Sequence, residues 1–259
     1  MQKGVVYMGC IITVASGKGG VGKTTVSANL AYAISDKGFS VAVIDMDLGL
    51  SSLDLALDVS GAVYDITDVS NGTCTADDAF IRLNDGKLFF IPASAFSGYE
   101  SLNRDSFTDT LRLLRQRFDY IILDAPAGIG TGFHVCAAAC DRLYLVATPD
   151  ACTARDCERT VLAAAQYEID EIRLILNRID VKNMKKSISL NIDQMIDTSG
   201  IWLLGAIPED KRIALNASRS TLCVNDKRRS GKMLSKAGAA LERIALRATG
   251  KRVPLSKFW

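Results

Sequence analysis

The sequence contains no run approaching the roughly 20 uninterrupted apolar residues that a helix needs to cross a bilayer. Its first residues also lack the long apolar segment of a signal peptide, so the chain is expected to stay in the cytosol. Charge of one dominant sign is missing as well: 31 lysines and arginines stand against 29 aspartates and glutamates. That near balance leaves no overall electrostatic footprint for general nucleic-acid binding, and any basic patch must be local. The seven cysteines are odd in number and show no paired framework spacing, which suits reduced thiols better than disulfides. Proline is scarce: there are five, with Pro92, Pro126, Pro149 and Pro208 at the ends of apolar runs or in loops. No internal repeat or low-complexity linker occurs. Histidine occurs once, as His134, and it could be grouped with Cys136 and Cys140 as a metal site. Against this, the two cysteines lie one helical turn apart amid Ala137-Ala138-Ala139, where a buried thiol behaves as a small hydrophobe. Zinc and cluster sites show tighter pairs, and Cys152 and Cys157 are no better spaced.

What is present is a chain of 259 residues, 48% of them hydrophobic, enough to bury one large core. Apolar runs rich in β-branched residues recur at 11–15, 41–44, 88–91, 120–123, 143–147, 173–176 and 202–207, and helical patterns at 24–37, 106–117 and 151–167 fall between them. Strands apolar on both faces and separated by helices predict an α/β fold, a mainly parallel twisted sheet with helices on both faces. One domain over residues 1–250 is expected, followed by a short tail at 251–259. Between residues 181 and 200 the pattern weakens into a polar stretch with Lys182, Lys185 and Lys186, read as an exposed, mobile excursion. In such a fold ligands bind at the carboxyl ends of the strands.

Directly after the first predicted strand stands Ser16-Gly17-Lys18-Gly19-Gly20-Val21-Gly22-Lys23-Thr24-Thr25, which satisfies the pattern of a phosphate-binding P-loop. Its glycines let the backbone turn N–H groups toward phosphate oxygens, the following helix presents its positive N-terminus, and Lys23 adds a point charge at the β and γ phosphates. Thr24 offers a hydroxyl to Mg²⁺. Gly17, Gly19 and Gly22, with Asp45 about 20 residues on, also fit the dinucleotide fingerprint. That reading needs no lysine-threonine pair after its last glycine, and it leaves Asp124 unexplained. Asp124 closes Tyr120-Ile121-Ile122-Leu123, where a P-loop enzyme places the carboxylate of its Mg²⁺ shell; otherwise it would be a turn or helix cap. Pro126-Ala127-Gly128 reads as a switch that senses the γ-phosphate. Asp45 and Asp47, two apart, share a face and point toward the phosphates together if the second strand stays extended that far.

Lys18 is the unusual residue, because a plain P-loop accepts almost any side chain there. Lys18-Gly19-Gly20-Val21-Gly22-Lys23-Thr24 resembles the deviant Walker A signature of the MinD/ParA family of P-loop ATPases. The resemblance implies ATP-dependent homodimerisation, with Lys18 reaching the partner's phosphates and Lys18, Lys23 and Asp47 acting in hydrolysis of ATP. A lysine so placed neutralises charge on the transferred phosphoryl, as an arginine finger does; the alternative is a solvated loop charge.

The likeness extends over nearly the whole chain and is nearest to the branch that positions the bacterial division septum. Val43-Ile44-Asp45-Met46-Asp47-Leu48-Gly49-Leu50 resembles that branch's second strand and switch. This implies that Asp47 orients the attacking water and that Asp45 sits beside the metal with Thr24 and Asp124. Asp124-Ala125-Pro126-Ala127-Gly128-Ile129, Arg155-Asp156-Cys157-Glu158-Arg159, Asn177-Arg178 and Ile207-Pro208-Glu209-Asp210 extend the match, which implies that Asn177 bonds the adenine and that Pro208 and Asp210 lie near it. Implied partners are a MinC-like division inhibitor and a hydrolysis-stimulating or polar-recruitment protein, and implied ligands are ATP and Mg²⁺.

The likeness fails at the C-terminus, where the branch carries a full amphipathic membrane helix. Leu234, Ala237, Leu241 and Ile244 have the spacing of a helix docked on the body, and only nine residues follow Gly250. Among them Leu255, Phe258 and Trp259 fall at i, i+3 and i+4 with Lys251, Arg252 and Lys257 nearby. Two readings stand: one turn of a membrane contact used through ATP dimers, giving peripheral attachment to the inner face of the cell membrane, or packing on the protein's own surface. Met8-Gly9-Cys10-Ile11-Ile12 resembles the usual start of the branch, so residues 1–7 read as additional sequence. The competing functions are a DNA-associated partition or flagellar-positioning ATPase, against which the neutral charge counts, and an iron–sulfur carrier.

Overall fold

The computed structural model describes residues 8–213, 222–224 and 235–255. Eight strands appear among them: β1 (Cys10–Ser16), β2 (Val41–Asp45), β3 (Ile81–Leu83), β4 (Leu88–Ile91), β5 (Tyr120–Ala127), β6 (Arg142–Ala147), β7 (Glu171–Ile179) and β8 (Leu203–Pro208). The helices between and after them are α1 (Lys23–Asp36), α2 (Leu53–Leu57), α3 (Ile66–Ser70), α4 (Ala76–Ala79), α5 (Arg104–Leu114), α6 (Thr131–Ala139), α7 (Ala151–Ala164), α8 (Val181–Lys185), α9 (Ile192–Ser199) and α10 (Lys236–Ala248).

All eight strands form one sheet in the order β3-β4-β2-β5-β1-β6-β7-β8. Every pairing is parallel except that of β3 with β4. Alternation along each strand divides the core in two. In β1, Ile11 and Ala15 join the cluster built with α5, α6 and α7, while Ile12 and Val14 join the one built with α1 and α10. The predicted mainly parallel sheet with helices on both faces is what forms.

Two segments depart from expectation. The antiparallel edge strand β3 is three residues long and only partly buried, too short for an alternating pattern to stand out. The stretch at 181–200 is not an open excursion: it folds into α8 and α9, and its buried Met184 and Met195 dock it on the body. Lysines on the outer side hid that apolar spacing. The last helix has the predicted core face, with Ala237, Leu241 and Ile244 buried. Leu234, Phe258, Trp259 and residues 1–7 lie outside the described residues.

Candidate functional site

The site forms where β1 turns into α1. Helices α5, α7 and α9 each open on a side chain that caps them, Asn103, Asp150 and Asn191 respectively. Helix α1 opens on Gly22, with no side-chain cap. Its first N–H groups therefore face the loop, arranged to receive phosphate oxygens. Gly22 holds φ +93°, and a Cβ there would stand 2.3 Å from Asn177 Nδ2. Both the backbone twist and the close approach demand glycine. Gly17 is pressed on α7, where a Cβ would meet Asp156 Cβ at 2.6 Å, so the Arg155-Asp156 segment forms part of the loop's seat.

Parallel pairing of β5 with β1 and β2 sets Asp124 beside Val14 and opposite Asp45. Lys23 Nζ donates to Asp124 Oδ1 at 2.9 Å, and Ser27 Oγ donates to the same oxygen at 2.6 Å. Asp124 Oδ2 is buried without a hydrogen-bond partner. Asp45 is fully buried; burial, then the Asp124 charge, push its carboxyl up to about 6. Two buried carboxylates on paired strands, one of them with an unpartnered oxygen, form an incomplete electrostatic arrangement. With the Thr24 hydroxyl nearby, this all-oxygen donor set fits a hard divalent cation such as Mg²⁺. Thr24 Oγ1 lies 3.4 Å from both Lys23 Nζ and Ser52 Oγ.

Asp45 and Asp47 do not act as a pair on one strand face. Strand β2 ends at Asp45, whose carboxylate accepts the N–H groups of Asp47, Ser52 and Leu53 and so folds the segment after β2 back upon itself. Asp47 alone reaches the phosphate cleft, a space of about 290 Å³ lined also by Gly19, Gly20, Gly22, Lys23, Thr24 and Thr25. Burial raises its carboxyl above the ordinary aspartate value, and the Lys23 charge pulls it down. Lys18 is exposed and stands outside that lining, with Gly17 and Val21. The Val21 side chain is core, and its carbonyl accepts Asn177 Nδ2 at 2.8 Å.

Beside the phosphate cleft lies a second one of about 340 Å³, where Asn177, Pro208 and Asp210 meet Gly22 and Thr25. The three residues expected around a base thus line one cleft. Asn177 has a bracing part that was not expected: its amide ties β7 to the phosphate loop, and its Oδ1 accepts the Arg178 N–H at 2.9 Å. Ser52 and Arg178 were not foreseen. Ser52 lines the phosphate cleft, and Arg178, at φ +55°, lines both clefts. The only signal for Arg178 was its place beside Asn177. Cys136, Cys140 and Cys157 are buried, none of the seven cysteines forms a disulfide, and His134 Nδ1 bonds the Tyr167 hydroxyl at 2.9 Å. Among the described residues no cluster of three or more His, Cys, Asp or Glu side chains is arranged to hold a metal ion.

An uncapped helix at the end of a parallel strand, a glycine-lysine-threonine loop and a buried acid on the neighbouring strand define a P-loop nucleotide-binding protein. The family model described as CobQ/CobB/MinD/ParA nucleotide binding domain matches residues 12–222. The septum site-determining protein MinD of Synechocystis sp. is 33% identical over 253 residues, covering 97% of this chain and 93% of the relative. That of Bacillus subtilis is 33% identical over 252 residues, covering 96% and 92%. Among solved structures, the MinC:MinD cell division protein complex of Aquifex aeolicus superposes with a TM-score of 0.86 at 29% identity, covering 95% of this chain and 98% of that one. MinD complexed with Mg-ADP from Pyrococcus horikoshii gives 0.81 at 25%, covering 93% and 96%. The chain belongs to the MinD group of this nucleotide-binding ATPase family.

Proposed function

We propose that this chain is an ATP-gated dimerisation switch in the placement of the division septum, and that its hydrolytic site is completed by Lys18 of a second copy. The observation that carries this reading is the contrast between the two loop lysines. Lys23 is buried in its own cleft on Asp124, whereas Lys18 is exposed at the rim and outside the lining of that cleft. A rim lysine has its effect on phosphates that approach from outside, as those of a facing protomer would.

On nucleotide entry Lys23 exchanges Asp124 for the β and γ phosphates, while the bare N–H groups of α1 take their oxygens. Thr24, Asp124 and, through its fixed carboxylate, Asp45 would hold Mg²⁺, which neutralises phosphate charge when bound. Asp47 orients water for attack on the γ-phosphate. Asn177, Pro208 and Asp210 border the base. Lys18 of the partner stabilises charge on the transferred phosphoryl, the part an arginine finger plays in other P-loop enzymes, where it contributes about 10³- to 10⁵-fold. The solved MinC:MinD complex of the Aquifex relative supports a MinC-like partner for the closed dimer. The tail, with Leu255, Phe258 and Trp259, attaches it to the membrane weakly in one copy and usefully in two, because the second contact gains from effective concentration.

The test is Lys18→Ala. ATP binding by the monomer should stay within about twofold, a difference well below 1 kcal/mol, while ATP-dependent dimers vanish in light scattering and phosphate release falls to the level of the isolated subunit. Wild-type hydrolysis by a monomeric Lys18→Ala chain would overturn the reading.

A further inference from the structure

We infer that Trp202 is a second membrane-contact residue, joining the clamped start of the tail in one interfacial patch for an anionic lipid surface. The inference rests on the reading that the tail meets a membrane, and adds to it a residue about 50 positions earlier in the chain.

The exposed apolar residues fall at different ends of the sheet. Leu50, Phe96 and Ile129 follow the carboxyl ends of β2, β4 and β5, at the nucleotide edge. Trp202 precedes the first residue of β8, at the opposite edge, with 71% of its surface exposed. Its backbone is fixed, because its carbonyl accepts the Leu174 N–H at 2.9 Å. An open indole on a fixed backbone suits the headgroup layer, where an amphipathic ring finds apolar and polar surroundings together.

Arg247 of α10 brings the tail to that place. Its guanidinium donates from Nη1 to the Leu204 carbonyl at 2.8 Å, from Nε to the Val253 carbonyl at 2.9 Å and from Nη2 to the Pro254 carbonyl at 2.6 Å. One side chain thus fastens the tail to β8, two residues past Trp202. Gly205 leaves room for it, since a Cβ there would stand 3.3 Å from Arg247 Nη1 and 2.3 Å from Ile244 Cγ1. Beyond the clamp Leu255 is 50% exposed, and Lys251 and Arg252 before it are exposed cations. Aromatic and aliphatic surface flanked by cations complements anionic headgroups above hydrocarbon.

The chain has two tryptophans, so Trp259→Phe makes Trp202 the sole indole reporter. With ATP, Mg²⁺ and vesicles of phosphatidylglycerol and phosphatidylethanolamine, Trp202 emission should shift to the blue and be quenched by brominated acyl chains. In the otherwise intact chain, Trp202→Gln should weaken vesicle partition about tenfold, the loss expected on exposing part of one large apolar side chain, and leave ATP hydrolysis in solution unchanged. Wild-type vesicle binding by Trp202→Gln, or an unquenched Trp202 in bound Trp259→Phe protein, overturns the patch. If truncation after Pro254 releases the protein while Trp202→Gln binds like wild type, the tail reading survives and the patch falls alone. If the unaltered chain ignores the vesicles with ATP present, the membrane reading falls and takes the patch with it.

Discussion

At the carboxyl end of the sheet, Lys23, Ser27 and Asp124 are locked in a buried network whose members come from α1 and β5, and Asn177 crosses from β7 to hold the loop from the other side. At the amino end of β8 the tail is held by one arginine donating to three backbone carbonyls. The first arrangement sets charges so that a phosphate and a cation can complete them, and tolerates little change. The second holds a short, exposed segment against β8, and one flexible side chain suffices. Strand β8 has six residues, so the two ends lie about 20 Å apart. Among the described residues the clamp touches neither cleft, and under the proposed function it is dimerisation that links the two ends.

The largest effect that would break this comparison is expected from Lys23→Ala. It removes the cation that faces Asp124 while Asp45 stays opposite, so two buried carboxylates remain with no positive partner between them. Truncating one member of a buried ion pair costs about 3 to 5 kcal/mol. Denaturant unfolding should show a loss of this order, and calorimetric titration should show no ATP binding. Full stability in the variant would mean that Asp124 is relieved by a route other than Lys23, and the electrostatic account of the nucleotide edge would be lost.

A smaller effect is expected at Gly22→Ala. A side chain at φ +93° costs about 1 to 3 kcal/mol, and its Cβ would drive Asn177 from the Val21 carbonyl. Stability should fall by that amount while ATP affinity falls further, since the loop loses its brace as well as its turn. Equal losses for ATP and for folding would show that Asn177 has no part in shaping the loop.

This crossing contact also marks what the sequence disclosed and what it hid. The P-loop was legible residue by residue, because glycine, lysine and threonine are each fixed by the same ligand at adjacent positions. The parallel sheet was legible because strands buried on both faces must be apolar throughout. The bond from Asn177 to Val21 spans 156 positions, and nothing local to either residue announces it. The same holds for Arg178, whose left-handed backbone sets it between the two clefts. Asp45 and Asp47 looked like a pair because the spacing allowed it. The Asp45 carboxylate instead accepts the following N–H groups and ends the strand, an outcome that only the folded geometry decides. At 181–200 the lysines were visible, while the buried faces of Met184 and Met195 were not.

The smallest effect is expected at the tail edge. Arg247→Ala frees three carbonyls, those of Leu204, Val253 and Pro254. Two belong to an exposed, one-sided segment that water can reach, so most of their bonding is replaced by solvent. With net contributions of about 0.5 to 1.5 kcal/mol per protein hydrogen bond, the half-buried β8 carbonyl should dominate, for a total loss of about 1 to 2 kcal/mol in thermal or denaturant unfolding. ATP affinity and ATP-driven dimerisation should remain those of the unaltered chain, because the clamp touches neither cleft. The backbone amides of Val253 and Leu255 should exchange with solvent faster, which mass spectrometry resolves peptide by peptide. If Arg247→Ala instead weakened ATP binding, the two ends of the sheet would be coupled through α10, which packs beside α1, and the separation drawn between them would have to be abandoned.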